Sequence, residues 1–124
     1  MSIIIAIVLA GGTTALPKLS VEYMSAIRTY AACIETRMVE LEPSKADVDD
    51  IFEAADTQCA GVRVDSMFVI EDDLDKSAPF PSGKSSQQIG IEILDGAAQM
   101  SKSRSRVMIL RKRAGLPPID AQRL

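Results

Sequence analysis

From Val21 onward, apolar side chains return every three or four residues, a spacing that lines one face of a helix and suits no strand. The first such stripe runs Val21, Met24, Ile27, Tyr30 with Ala31, Ile34, Met38 and Leu41. Ser20 is a fitting N-cap, because its hydroxyl can accept from a free backbone N–H of the first turn. Pro43 removes a donor and disfavours helical geometry in the residue before it, so the helix is expected to end at Glu42. A second helix opens at Ser44 or Asp47, with Asp49 and Asp50 complementing the positive helix end. Its stripe is Val48, Ile51 with Phe52, Ala55, Cys59 and Val62, continuing through Met67, Ile70 and Leu74, with Gly61 as the weak point. The two prolines and the glycine of 78–83 make a loop. Ser85 or Ser86 then caps a third helix whose expected apolar positions are Ile89, Ile93, Ala97, Met100, Val107 and Leu110 or their neighbours, with 101–105 as its soft part. Gly115 and the Pro117–Pro118 pair end it. The expectation is an all-α fold, a small helical hairpin or three-helix bundle over residues 16–115, followed by a flexible tail over 116–124.

The first fifteen residues form a separate problem. Ile3 to Ala10 is an unbroken apolar run, followed by Gly11, Gly12, Thr13, Thr14 and Ala15. Such a run leading into small residues matches a secretory signal, with cleavage after Ala15 leaving a chain that begins at Leu16. Eight apolar residues are too few to span a bilayer, which takes roughly 20 in a helix. The stretch Ile7, Val8, Leu9, Ala10, Gly11 and Gly12, with Leu16, Pro17 and Lys18 beyond it, also resembles the opening of sugar-phosphate nucleotidyltransferases, where a strand leads into a glycine-rich phosphate loop. That family expects a further Gly and an Arg where this chain has Thr13, Thr14 and Ala15. The body of the chain lacks the alternation of strands and helices that such a loop requires. The signal reading is therefore preferred, and it implies a periplasmic or secreted protein.

Cys33 lies nine residues before Glu42, and Cys59 lies twelve after Asp47. At about 1.5 Å rise per residue these positions stand roughly 14 and 18 Å from the hairpin turn, so an antiparallel helix pair brings them level. An oxidising compartment then favours a disulfide between them. The alternative is a pair of ordinary buried thiols. The arrangement of Tyr30, Ala31, Ala32 and Cys33, a turn at Pro43, then Ala54, Ala55 and Cys59, resembles small uncharacterised exported proteins of proteobacteria with one cysteine in each of two helices. The resemblance covers about forty residues. It implies no catalytic or ligand residue.

The charges are unevenly placed. Up to Asp75 there are 14 acidic and 5 basic residues, and from Lys76 onward 3 acidic and 9 basic. Opposite halves of this kind are expected to pair within the fold. The basic cluster of Lys102, Arg104, Arg106, Arg111, Lys112 and Arg113 is at the same time the candidate interaction patch. It has no interleaved aromatic residue, so nucleic acid is not an expected partner; pairing with the acidic half is the preferred reading, and peripheral contact with a membrane surface the alternative left open. Glu71, Asp72, Asp73 and Asp75 lack the spacing of a calcium loop and read as a solvated helix end facing those cations. The chain contains no histidine, the commonest general base and transition-metal ligand. No catalytic constellation, metal site or cofactor is expected. The function expected is contact with an unknown protein partner, as an adaptor, inhibitor or envelope component. The alternative is a cytosolic or phage-type interaction protein that sets its basic last helix on an acidic partner or nucleic acid.

Overall fold

The computed structural model describes residues 20–119, so both readings of the apolar N-terminal run, and the tail beyond residue 119, lie outside the described residues. These residues form four helices and no strand: α1 (Val21–Leu41), α2 (Val48–Gln58), α3 (Ala60–Asp75) and α4 (Ser86–Arg113). A 3-10 turn, Glu42–Ser44, follows α1. Cross-helix contacts give the directions. Cys33 faces Cys59, Tyr30 faces Arg63 and Ala26 faces Ser66, so α1 runs antiparallel to α2 and α3. Ala31 faces Ser101 and Glu42 faces Lys112, so α4 returns parallel to α1. The outline is a three-helix bundle whose middle member is broken.

Local signals set the helix ends. The Ser20 hydroxyl accepts from the Tyr23 N–H at 3.0 Å. Asp47, rather than Ser44, caps α2 by accepting from Asp49 N–H at 3.2 Å. Ser85 opens α4 in a capping box with Gln88, each side chain accepting from the other's backbone N–H. The end of α4 is a full Schellman motif. Gly115 N–H donates to Lys112 and Leu116 N–H to Arg111, which turns the chain through a left-handed Gly115 at φ 72°.

Two expectations about the helices need correction. The middle helix breaks at Cys59 and not at Gly61, so the described residues hold four helices where three were expected. Thr57 donates its hydroxyl back to the Glu53 carbonyl at 3.0 Å, a side-chain bond that bends helices, and the Cys59 N–H is shared between Ala55 and Asp56. The buried face of α4 also departs from the expected stripe in its second half, although Ile89, Ile93 and Ala97 pack half-buried against the core. It runs Ser86, Gly90, Leu94, Ala98, Ser101, Ser105 and Ile109, while Met100, Val107 and Leu110 are exposed. Small side chains let α4 approach its neighbours closely. The Ser101 hydroxyl donates to the Ala31 carbonyl at 3.3 Å, so the segment read as the soft part is a contact seam. Ser66 does the same on α3, donating to the Ala26 carbonyl at 3.0 Å.

The core is aliphatic. Ile34, Met38, Ile51, Ile70 and Leu94 are fully buried around Tyr30 and Cys59. The expected disulfide joins Cys33 to Cys59, with Cα atoms 6.0 Å apart, and crosslinks α1 to the break in the middle helix. It holds the level at which all four helices exchange polar contacts. Tyr30 on α1 donates to Asp56 on α2, and Arg63 on α3 donates to Tyr30 and to Asp95 on α4.

Candidate functional site

A groove of about 460 Å³ lies between the last turns of the parallel helices α1 and α4, within the range of ligand and side-chain pockets. Val39 on α1 and Met108 on α4 form its walls, and the fully packed Ile109 its floor. The Schellman turn at Gly115 brings Leu116 and Pro118 across its end, and Arg111 fastens that turn by donating from Nε to the Pro117 carbonyl at 2.9 Å. Val39 is 61% exposed and Leu116 50%, so the groove presents apolar surface to solvent that the molecule's own core does not use.

Glu42 closes one end. It opens the 3-10 turn that follows α1, and its side chain is only 3% exposed. Lys112 Nζ stands 3.5 Å from its Oε1 and Lys45 Nζ 3.9 Å from its Oε2. Among the described residues, Oε1 accepts no hydrogen bond. A buried carboxylate with a lone pair unspent is costly, which makes this end of the groove the polar feature of an otherwise apolar cleft. Nothing in the sequence flagged Glu42, since a glutamate beside proline at a helix end reads as solvated. Gly115 with Leu116 was the one legible signal for the groove.

The six cations of the expected interaction patch do not act together. Lys102 bonds Asp49 at 3.0 Å and lies 4.9 Å over the Phe52 ring. That hydrogen bond and the lysine's charge hold the Asp49 carboxyl below its usual range. Lys112 turns to Glu42, Arg113 donates to the Ala46 carbonyl at 2.8 Å, and Arg111 holds the Pro117 turn. Arg104 and Arg106 are exposed, and among the described residues neither has a carboxylate within 4 Å. Pairing between the acidic and basic halves is thus partly realised, through Lys102 and Lys112.

The acidic cluster sits differently from the expectation. Asp73 accepts from the Ser20 N–H at 3.3 Å, so the end of α3 meets the start of α1 and not the cations of α4. The reason is topological: α3 runs antiparallel to α1, which brings its acidic end to the positive end of that helix dipole. Among the described residues no group of three or more acidic or cysteine side chains could hold a metal ion. Both sulfurs are committed to the disulfide. The groove has room for an apolar side chain between Val39 and Met108, with a carboxylate beneath. No family model, curated protein or solved structure matches this chain.

Proposed function

We propose that this is an exported helical protein that acts by protein contact, with the groove between α1 and α4 receiving an apolar anchor of its partner. The observation that carries this reading is the exposed apolar lining of Val39, Met108 and Leu116 around a pre-formed cleft, since buried apolar anchors supply most of the affinity of protein contacts. The Cys33–Cys59 disulfide supports export, because such bonds persist in oxidising compartments. The alternative of a basic helix on an acidic partner is served less well, as four of the six cations are engaged within the fold.

A photo-crosslinking side chain placed at Val39 or Met108 in the native host is expected to yield the same discrete adduct from both positions, and none from the exposed Thr57. Met108→Glu should abolish the Val39 adduct without lowering the melting temperature. Equal labelling from Thr57, or no adduct from either groove position, would overturn the assignment. Intact mass of the native product should show a chain beginning near Leu16 and two hydrogens lighter than its reduced form.

A further inference from the structure

The face of α4 turned away from the bundle has a composition the core does not explain. Met100, Ser103, Val107 and Leu110 follow one another at steps of three and four residues, opposite the buried line of Leu94, Ala98, Ser101 and Ser105. Met100 is 62% exposed, and Val107 and Leu110 are each more than a third exposed. Arg104 and Arg106 flank this line. After Asp95 the helix contains no further acidic residue through Arg113. The carboxylates that neighbouring elements bring to this stretch, Asp49 from the start of α2 and Glu42 from the end of α1, meet Lys102 and Lys112 on the inward side. The outward side is left as an aliphatic line flanked by Arg104 and by Arg106, which among the described residues makes no ion pair within 4 Å but lies within reach of the Asp49 charge.

We infer that the outer face of α4 docks on an anionic bilayer surface, with Met100, Val107 and Leu110 entering the interface and Arg104 and Arg106 meeting lipid phosphates. Three properties choose this occupant. The segment from Met100 to Arg111 is uninterrupted helix about 17 Å long, which can lie flat in a membrane interface. It is open, hollowed only among Met100, Ser103, Arg104 and Val107, and a bilayer requires no complementary groove. Its apolar centre is aliphatic, so a nucleic acid would neutralise the arginines but leave that centre in water with no ring to stack on a base. No helix of the described residues is long and apolar enough to cross the membrane, so the contact is peripheral. This surface is separate from the groove, whose α4 wall is formed by Met108 and Lys112, and either assignment stands without the other.

The test is co-sedimentation of the full oxidised chain with vesicles of equal parts phosphatidylglycerol and phosphatidylcholine, beside vesicles of phosphatidylcholine alone. Binding is expected to the anionic vesicles only, weakening as salt is raised. At roughly fivefold per cation near an anionic surface, Arg104→Gln with Arg106→Gln should lower the partition coefficient on the order of twentyfold. Val107→Asp should lower it further, while Arg28→Gln on exposed α1 leaves it unchanged. Far-ultraviolet circular dichroism of each variant would confirm that it is folded. Binding that survives both sets of α4 changes, equal binding to neutral vesicles, or no binding at all would each overturn the inference. So would binding to polyglutamate or duplex DNA that Val107→Asp leaves intact, because charge alone would then account for the face.

Discussion

Arg63 donates to the hydroxyl of Tyr30 at 3.0 Å while its guanidinium carbon lies 5.5 Å from the centre of the same ring. The second arm of the arginine donates to Asp95 at 2.6 Å, and the Tyr30 hydroxyl passes its own proton towards Asp56 at 2.9 Å. A single fully buried phenol thus links α1 to the other three helices, directly or through Arg63. Its ring belongs to the core and its hydroxyl to a polar seam. Buried polar groups stabilise when every member is satisfied and destabilise when one is removed.

Tyr30→Phe is therefore expected to cost about 1–3 kcal/mol in urea unfolding, since it leaves Asp56 and Arg63 without their shared partner. Arg63→Met should cost less, because the arginine is partly solvated and Asp95 is mostly exposed. A double-mutant cycle between the two should give a coupling of about 0.5 kcal/mol or more. Strict additivity would show that the seam contributes nothing as a network.

Cys33→Ser should lower stability by roughly 3.5 kcal/mol under oxidising conditions, the loop-closure value for a separation of 26 residues. Excess reductant should bring the parent protein to the level of the variant. Chemical denaturation with and without reductant separates this from a cavity effect, which would persist in both.

Stability should fall in strong alkali. Burial raises the pKa of Tyr30 above its ordinary 10.0, and burial with the nearby Asp73 charge does the same for Tyr23. Below that ordinary value both states hold their phenolic protons and the contribution is complete. As pH climbs past it the unfolded chain ionises first, and the contribution is lost as pH rises through the raised native values. Tyrosinate absorbance should titrate later in the native protein than in urea. Asp49 acts in the opposite direction. Its lowered pKa adds stability above the unfolded value of 3.8 that is lost as pH falls through the native one, so Asp49→Asn should flatten the acid limb.

Two glycines of α4 should respond differently to alanine. A Cβ at Gly96 meets nothing within 4 Å, so Gly96→Ala is expected to add about 0.5–1 kcal/mol by removing unfolded-chain entropy. A Cβ at Gly90 would stand 2.6 Å from the Met67 Cε, the movable end of a thioether. Gly90→Ala should be close to neutral as Met67 shifts, whereas Gly90→Val should destabilise by about 1–3 kcal/mol through overpacking. Thermal melts of the three variants check the order.

The helical class, the outer helix ends with their caps and the level of the two cysteines were legible in the chain because each depends on residues within a few turns; the break at Cys59 was not. Ser20, Asp47 and Ser85 satisfy donors two or three positions away, and Gly115 turns the chain on its own freedom at positive φ. Cys33 and Cys59 needed only helical rise counted from one turn. The face that α4 buries could not be read in this way. A serine is polar by pattern, yet at Ser101 it donates to the carbonyl of Ala31 seventy positions away, and its small volume lets two helices close where Met100 would hold them apart. The inward turn of Glu42 and the groove above it have the same origin. Local sequence sets where a helix begins and ends, but which side of it is buried depends on the volumes and hydrogen-bond partners that other helices bring across the gap.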